Sequence, residues 1–437
     1  MGKVKTGLMI ALAGAALLSA CAEPEQILPG PREDLRPDTR DQQQFESRAE
    51  PVSLPAQRNN ADWPQRHGTP AFRTDHPALS ASPQLVWSAG IGAGDKRRAR
   101  ITATPIVAGG RVFTLDSGAQ VVATSTQGER LWAQDLRPER ERDGQATGGG
   151  IAYDDGRVYV SSGYGLMTVL EAETGAVVWQ QKLEATGSGT PTVAGDLVYL
   201  VSGDDTAWAI EKDNGRIRWQ LSAAPDVDNV LGGPAPALTD QFVIFSFGAG
   251  DLQAAFRNGG LRMWNTAISG QRRFRASTKV TDITGDPVIV GDTAYVGTHS
   301  GRTVALRVDN GERIWTADDG AMGPVWPTGN AIFLVNDRNE LVRLSTEDGS
   351  RVWVKELPRF TKSRTRRQVE VYAHYGPVLA GGRLVVASSD GFLRFFDPAS
   401  GDMVQQVELP GGASTAPVVA GGTLYVVGTG GQLHAFR

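Results

Sequence analysis

Side chains that could carry catalytic chemistry are few in this chain of 437 residues, and they are not grouped along it. A metal site on a helix would show His-x-x-x-His spacing, and a serine nucleophile would show Gly-x-Ser-x-Gly. Neither pattern occurs, and we expect each histidine to be structural or at the surface. The run Gly148–Gly150 is expected to relax a loop rather than to bind phosphate. The sequence therefore predicts no catalytic residue, no metal and no cofactor. The five histidines are His67, His76, His299, His374 and His434.

Cys21 is the only cysteine in the chain, and it ends an N-terminal leader. An uncharged apolar run, Gly7–Leu18, is shorter than the about 20 residues that cross a bilayer and suits a cleavable signal peptide. The segment Leu-Ser-Ala-Cys at its end resembles the lipobox of bacterial lipoproteins. That resemblance implies that residues 1–20 are a signal peptide and that Cys21 carries lipid. The alternative is an ordinary secretory signal with a coincidental cysteine.

Residues 21–62 are rich in Pro, Arg, Asp, Glu and Gln and hold few β-branched or aromatic side chains. Such a segment buries too little apolar surface to offset its ordering entropy. We expect a flexible linker between the lipid and a folded body over residues 63–437. The net charge of −4 gives no reason to expect nucleic acid as a partner.

The folded part repeats a Gly-x-x-x-Trp pattern at intervals of about 45 residues, the size of a four-stranded propeller blade. A seventh copy, from Gly401 to Gln405, has lost the tryptophan, and Trp87 has no preceding turn. We expect each tryptophan to fill a gap between adjacent blades. The six complete copies begin at Gly128, Gly175, Gly215, Gly260, Gly311 and Gly349.

Apolar strands and glycine turns fill each unit, which predicts an all-β fold of four-stranded antiparallel blades. The last unit ends at Arg437 after three strands, whereas Trp87 lies in a lone strand at the start. Pairing these N- and C-terminal strands would complete an eighth blade and remove the open edge. In an outer strand such as Arg216–Trp219, we expect the charged side chains to face one way and the bulky side chains the other. The sequence therefore predicts an eight-bladed β-propeller; a seven-bladed ring or an open array is the alternative.

The units resemble the pyrroloquinoline-quinone-type propeller repeat over residues 80–437. With the lipobox, the Pro-rich linker and eight blades, the chain resembles the BamB family of outer-membrane lipoproteins. The resemblance implies a non-catalytic scaffold of the β-barrel assembly (BAM) complex, anchored by lipid in the outer membrane and facing the periplasm. Its implied partners are the periplasmic domains of BamA, other BAM subunits and unfolded outer-membrane proteins.

In that family two loops between consecutive middle blades contact BamA, and matching segments occur here. The first is Asp228, Asn229, Val230 and Leu231; Asp228 and Leu231 depart from the family's leucine and arginine. The second runs from Asp282 to Thr284, and Thr284 replaces the family's second acidic residue. The resemblance thus implies a partner site that is either retained with altered chemistry or moved elsewhere.

Two other functions stay open from the sequence. A quinone-dependent dehydrogenase would share the repeat, but it needs Ca²⁺ held by oxygen ligands, and many such enzymes have a disulfide that one cysteine cannot form. A periplasmic binding propeller with another partner is the second alternative.

Two basic stretches, Lys96–Arg100 and Arg359–Arg367, are either solvated loops or docking sites for acidic partners or anionic lipid. Outer strand edges could also accept an unfolded strand, although their arginines oppose promiscuous pairing.

Overall fold

The structure is a computed structural model that describes residues 45–66, 68–69, 75–142, 144–186, 189–224, 233–268 and 283–437. Over these residues it contains eight four-stranded antiparallel sheets, arranged as an eight-bladed β-propeller. The predicted fold class and blade number are therefore confirmed. Ser47–Arg437 forms one compact unit.

The first four blades each follow chain order from the innermost strand to the outermost strand. β1, Leu85–Gly90, precedes them. Blade 1 is β2 (Ile106–Ala108), β3 (Arg111–Leu115), β4 (Gln120–Ser125) and β5 (Arg130–Asp135); blade 2 is β6 (Gly149–Asp154), β7 (Arg157–Ser162), β8 (Leu166–Glu171) and β9 (Val177–Lys182). Blade 3 is β10 (Thr192–Ala194), β11 (Leu197–Val201), β12 (Thr206–Glu211) and β13 (Ile217–Ser222); blade 4 is β14 (Ala237–Leu238), β15 (Phe242–Ser246), β16 (Asp251–Phe256) and β17 (Arg262–Ala267).

Blades 5–7 repeat this order, and blade 8 combines the last three strands with β1. Blade 5 is β18 (Val288–Val290), β19 (Thr293–Thr298), β20 (Arg302–Arg307) and β21 (Arg313–Ala317); blade 6 is β22 (Trp326–Thr328), β23 (Ala331–Val335), β24 (Glu340–Ser345) and β25 (Arg351–Glu356). A 3₁₀ turn, Thr365–Arg367, follows. Blade 7 is β26 (His374–Ala380), β27 (Arg383–Ser388), β28 (Phe392–Phe396) and β29 (Met403–Glu408), and blade 8 is β30 (Val418–Ala420), β31 (Thr423–Gly428), β32 (Gln432–Phe436) and β1.

Seven tryptophans lock each blade to the next, as the repeat predicts. Each indole Nε1 donates to a backbone carbonyl in the next blade's outer turn at 2.8 to 3.1 Å. Each ring lies over the glycine of that turn, so close that a Cβ built on Gly349 would lie 2.5 Å from the Trp315 ring. The pairs are Trp87–Gly128, Trp132–Gly175, Trp179–Gly215, Trp219–Gly260, Trp264–Gly311, Trp315–Gly349 and Trp353–Gly401.

Closure of the ring explains why the eighth position lacks tryptophan. The outer pair of blade 8 joins β32 to β1, the two ends of the propeller, so no turn connects them. Gln405 of β29 therefore faces no turn glycine, and its Oε1 accepts from Arg383 Nη1 at 2.6 Å. The lost tryptophan follows from the split blade.

Outer strands differ from the alternation expected at Arg216–Trp219. The ladder of β12 and β13 skips Arg218, because Ala209 faces Trp219 and Ile210 faces Ile217. This bulge leaves Ile217 exposed, with a relative accessibility of 44%. The prediction that Ile217 and Trp219 face the same way was wrong for that reason.

Residues 47–66 form a strap across the blades, although the composition of most of them predicts a flexible linker. Arg48 N donates to Val352 O of β25 at 3.1 Å, and Val354 N donates to Ser47 Oγ at 3.1 Å. The strap covers the outer edge of β25, where Val352 is 2% exposed. Equivalent residues of uncovered outer strands are exposed, as Val178 of β9 is.

A buried arginine holds the strap to blade 6. Arg343, in β24, is fully buried. Its Nη1 donates to the carbonyl of Glu50, and its Nη2 donates to the carbonyl of Pro51 at 3.2 Å. Backbone carbonyls of the strap thus accept hydrogen bonds from a buried cation, and Val52 and Leu54 of the strap pack against the core.

The end of the strap crosses the innermost strands of several blades. Trp63 is 2% exposed, and its backbone pairs with Val107 of β2. Gln65 forms two side-chain hydrogen bonds with the backbone of Val193 in β10, at 2.9 and 3.0 Å. Trp63 and Arg66 also line a small cavity with Pro324, Pro377 and Pro417, which lie just before or within the inner strands of three further blades. These residues therefore form a plug in the ring's centre.

Candidate partner-binding face

One end of the ring carries the connections between consecutive blades and the turns between the second and third strands of each blade. We call it the connection face; it follows from the antiparallel order of the strands. The two loops singled out by the sequence lie between β13 and β14 and between β17 and β18. The described residues on either side of both loops therefore lie on this face, at neighbouring blade junctions.

Most of the predicted contact residues lie outside the described residues. They are Asp228, Asn229, Val230, Leu231 and Asp282. Thr284 is described: its side chain is half-buried, and Oγ1 donates to the carbonyl of Ala321 at 2.8 Å. Thr284 thus ties the second loop to the next blade junction rather than offering an acidic group.

A buried carboxylate joins the bases of the two loops. Asp286, which is 0% exposed, accepts from Ala235 N at 2.5 Å. Ala235 follows the first loop, and Asp286 follows the second. Arg66 of the plug approaches from the centre, and its Nε lies 2.8 Å from Asp286 Oδ2. Arg66 Nη1 also donates to Thr190 Oγ1 at 3.0 Å. The Arg66–Asp286 ion pair, with these two hydrogen bonds, therefore connects the junctions that contain Thr190, Ala235 and Asp286.

A cavity of about 950 Å³ opens on the connection face. Its wall includes Arg66, Ile283, Thr284, Phe247 and Met322. Met322 is 43% exposed. The face combines apolar side chains with charged groups, a composition found at interfaces between two proteins.

Three of the described histidines have a lowered pKa, and contacts within the fold hold their rings in place. Both ring nitrogens of His374 lie 2.7 Å from hydrogen-bond partners, Ser388 Oγ and Pro358 O. Burial lowers the pKa of His374, His434 and His299 below the ordinary value of 6.5. His67 lies outside the described residues. Within the described part of the chain, no group of three or more His, Cys, Asp or Glu could hold a metal ion.

Both basic stretches reach the connection face. Lys96–Arg100 follows β1, and Arg100 Nη1 lies 3.6 Å from Asp95 Oδ2. Arg359–Arg367 lies between β25 and β26. Cys21 and its leader are outside the described residues, among which no helix is long and apolar enough to cross a membrane.

Sequence reasoning missed Arg66 and Asp286. Arg66 stands alone in a polar segment, and Asp286 precedes the proline that begins a blade, where the sequence pattern indicates only the start of a strand. The one available signal was Asp286 itself, a charged residue at the start of an otherwise apolar strand, since a buried charge needs a partner.

Comparison with known proteins gives one family. The family model described as outer membrane protein assembly factor BamB matches residues 117–355 and 362–437. The outer membrane protein assembly factor BamB of Shewanella oneidensis is 26% identical over 361 residues, covering 80% of this chain and 88% of the relative.

Solved structures share the fold. The crystal structure of BamB from Moraxella catarrhalis superposes with a TM-score of 0.64 at 17% identity, over 82% of this chain and 100% of that one. Quinohemoprotein alcohol dehydrogenase from Comamonas testosteroni gives 0.65 at 15% identity, over 86% of this chain and 80% of that one. At these identities both structures show the fold alone.

Proposed function

The chain belongs to the family of the outer membrane protein assembly factor BamB, and we propose that it is a non-catalytic scaffold of the β-barrel assembly complex. In this role it binds the periplasmic domains of BamA and assists the folding and insertion of outer-membrane proteins. Its relatives are named as assembly factors, and this favours the scaffold over a dehydrogenase.

The partner site that we propose consists of Asp228–Leu231 and Asp282–Thr284. Asp286 is the observation that supports it: one buried carboxylate holds Ala235, after the first loop, and Arg66 of the plug. A fixed base lowers the conformational entropy that two loops lose when they bind one partner. The departures at Asp228, Leu231 and Thr284 alter side chains but leave this base intact.

We also propose that the mature chain begins at Cys21, carries lipid there and faces the periplasm from the outer membrane. The leader and the single cysteine support this placement. Metabolic labelling with a radioactive fatty acid tests it: the wild type should be labelled and Cys21→Ser should not. Labelling of both proteins would show that the lipid is attached to a residue other than Cys21.

Capture of BamA from detergent-solubilised membranes tests the function. Tagged wild type should recover BamA, whereas Asp282→Arg and Leu231→Asp should recover less because they place a wrong charge in the proposed contact. Asp292→Arg is a matched control, since Asp292 is exposed in the turn at the opposite end of blade 5. Equal recovery of BamA by all variants would show that the binding site lies elsewhere on the scaffold. No recovery by wild type would contradict the function.

A further inference from the structure

The connection between blades 6 and 7 folds back on itself as a short hairpin. Phe360 pairs with Val371, Thr361 N donates to Glu370 O at 3.1 Å, and Tyr372 N donates to Arg359 O at 2.8 Å. The 3₁₀ turn Thr365–Arg367 forms its tip. We call residues 359–372 the basic hairpin. Its backbone bonds give it a defined shape at the rim of the connection face.

Exposed cations lie along the basic hairpin, from its base to its tip, without carboxylate partners among the described residues. Among the described residues, none of the five makes an ion pair, and the hairpin holds one carboxylate, Glu370. Several partly exposed arginines of the blades are paired: Arg302 lies 3.0 Å from Asp318, and Arg157 lies 3.1 Å from Asp213. The five cations are Arg359, Lys362, Arg364, Arg366 and Arg367.

Apolar side chains stand among these cations. Val369 is 86% exposed, the highest value among the large hydrophobic residues that are exposed, and Val371 is 53% exposed. Cations beside an exposed apolar group suit a lipid interface, where the charge meets headgroups and the apolar group enters the boundary.

The strap brings the N-terminal side of the chain to the same place. Ser47 contacts Val354, and Arg48 contacts Val352, so the strap runs antiparallel to β25. Its upstream end therefore points along β25 toward Glu356, where β25 ends and the connection to the basic hairpin begins.

We propose that the basic hairpin docks on anionic phospholipid headgroups, as a second membrane contact beside the lipid anchor. The geometric part of this inference rests on the proposed lipidation of Cys21. The lipid would hold the chain at the membrane surface, and the basic hairpin would orient it there through attraction between its cations and anionic headgroups. The docked hairpin would fix the tilt of the ring, with blades 6 and 7 toward the membrane and the junctions around blade 4 away from it.

Vesicle sedimentation tests the proposal with the mature chain carrying Cys21→Ser, so that no lipid contributes. Wild type should bind phosphatidylcholine vesicles that contain phosphatidylglycerol, more strongly at low ionic strength, and should not bind pure phosphatidylcholine. The triple variant Arg364→Gln, Arg366→Gln and Arg367→Gln should bind about 100-fold more weakly, at roughly fivefold for each cation. Val369→Asp should also weaken binding.

Matched controls separate the hairpin from net charge. Arg130→Gln, Arg216→Gln and Arg262→Gln remove three exposed arginines from other blades, and Leu261→Asp changes a residue that is 69% exposed. These controls should bind vesicles like wild type. Equal losses in the control and hairpin triples, or no loss in the hairpin triple, would overturn the proposal.

A protein partner for the basic hairpin would give a different result. The hairpin triple would then keep vesicle binding and lose capture of BamA, which would also overturn the lipid assignment. Because the sedimentation assay contains neither BamA nor lipidated protein, its outcome is independent of the tests of the proposed function.

Discussion

At the scale of single residues, the contact between glycine and tryptophan sets the spacing of the blades. Gly349 has φ of +72°, in the left-handed region that favours glycine, and Trp315 covers its face. Gly291 has a similar φ of +57° in an inner turn, but a Cβ added there would meet no atom within 4 Å. The two glycines therefore differ in crowding and not in backbone conformation.

Replacing both glycines separates these two effects. Gly291→Ala should lower the free energy of unfolding by about 1 kcal/mol, because alanine resists the left-handed conformation. Gly349→Ala should cost about 2–4 kcal/mol, because the added methyl group also displaces the indole. Urea denaturation of the two variants measures the difference. Equal losses would show that the indole contact is easily relaxed.

The Arg66–Asp286 ion pair makes a second prediction at this scale. Asp286→Asn leaves a mostly buried guanidinium without its charge partner, and should lower the free energy of unfolding by about 3 kcal/mol. It should also weaken capture of BamA, because Asp286 holds the bases of both loops.

A double-mutant cycle with Arg66→Gln checks this coupling. The double variant should be less destabilised than the sum of the single variants, since it contains no unpaired charge. Additive losses would contradict a direct interaction between the two side chains.

At the scale of elements, the strap stabilises an edge that the repeat leaves open. β25 has a buried middle, whereas outer strands such as β9 and β13 expose theirs. The sequence could not predict this cover, because the apolar residues Val52 and Leu54 are too few to form a periodic pattern and the strap also binds through backbone carbonyls to Arg343.

Arg343→Met should release the strap. The substitution keeps volume but leaves the carbonyls of Glu50 and Pro51 without their donor, a loss of about 1–3 kcal/mol. Hydrogen exchange should rise at residues 47–54 and in β25. Arg302→Met, which removes a partly exposed arginine, should leave exchange in the strap unchanged. Protection in β25 that survives Arg343→Met would mean that the strap does not depend on this anchor.

Blade structure was predictable from the chain, because the glycine turn repeats in seven units and the tryptophan follows it in six of them. Blade closure was also predictable. The strand that contains Trp87 had no blade of its own, and the last three strands before Arg437 lacked a fourth strand. The Arg66–Asp286 ion pair and the plug could not be predicted, because each consists of single charged or aromatic residues that do not recur at a regular spacing. The contact residues came from the family resemblance alone, and Asp228–Leu231 and Asp282 lie outside the described structure.

At the scale of the whole molecule, buried histidines make stability depend on pH. The pKa values of His374, His434 and His299 are lowered by burial, so the unfolded chain binds protons more readily than the folded chain. Their contribution to stability is complete above the ordinary pKa of 6.5 and is lost as pH falls below it. His434 connects the first and last strands of the propeller in blade 8, where its Nδ1 lies 2.7 Å from Ser88 Oγ.

Thermal unfolding should therefore occur at lower temperature as pH falls from about 7 to about 5. His434→Gln should reduce that dependence, because one of the three neutral histidines is removed. A melting temperature that rises on acidification, or an unchanged slope in the variant, would contradict the assignment.

Site-specific photocrosslinking in intact cells tests the central claim, that the connection face around blade 4 binds BamA. A benzoyl-phenylalanine at Leu231 should form a crosslink to BamA, while the same group at Leu261, exposed in an outer turn on the opposite face, should not. A crosslink at residue 261 in place of 231, or none at either position, would contradict a scaffold that binds BamA through this face.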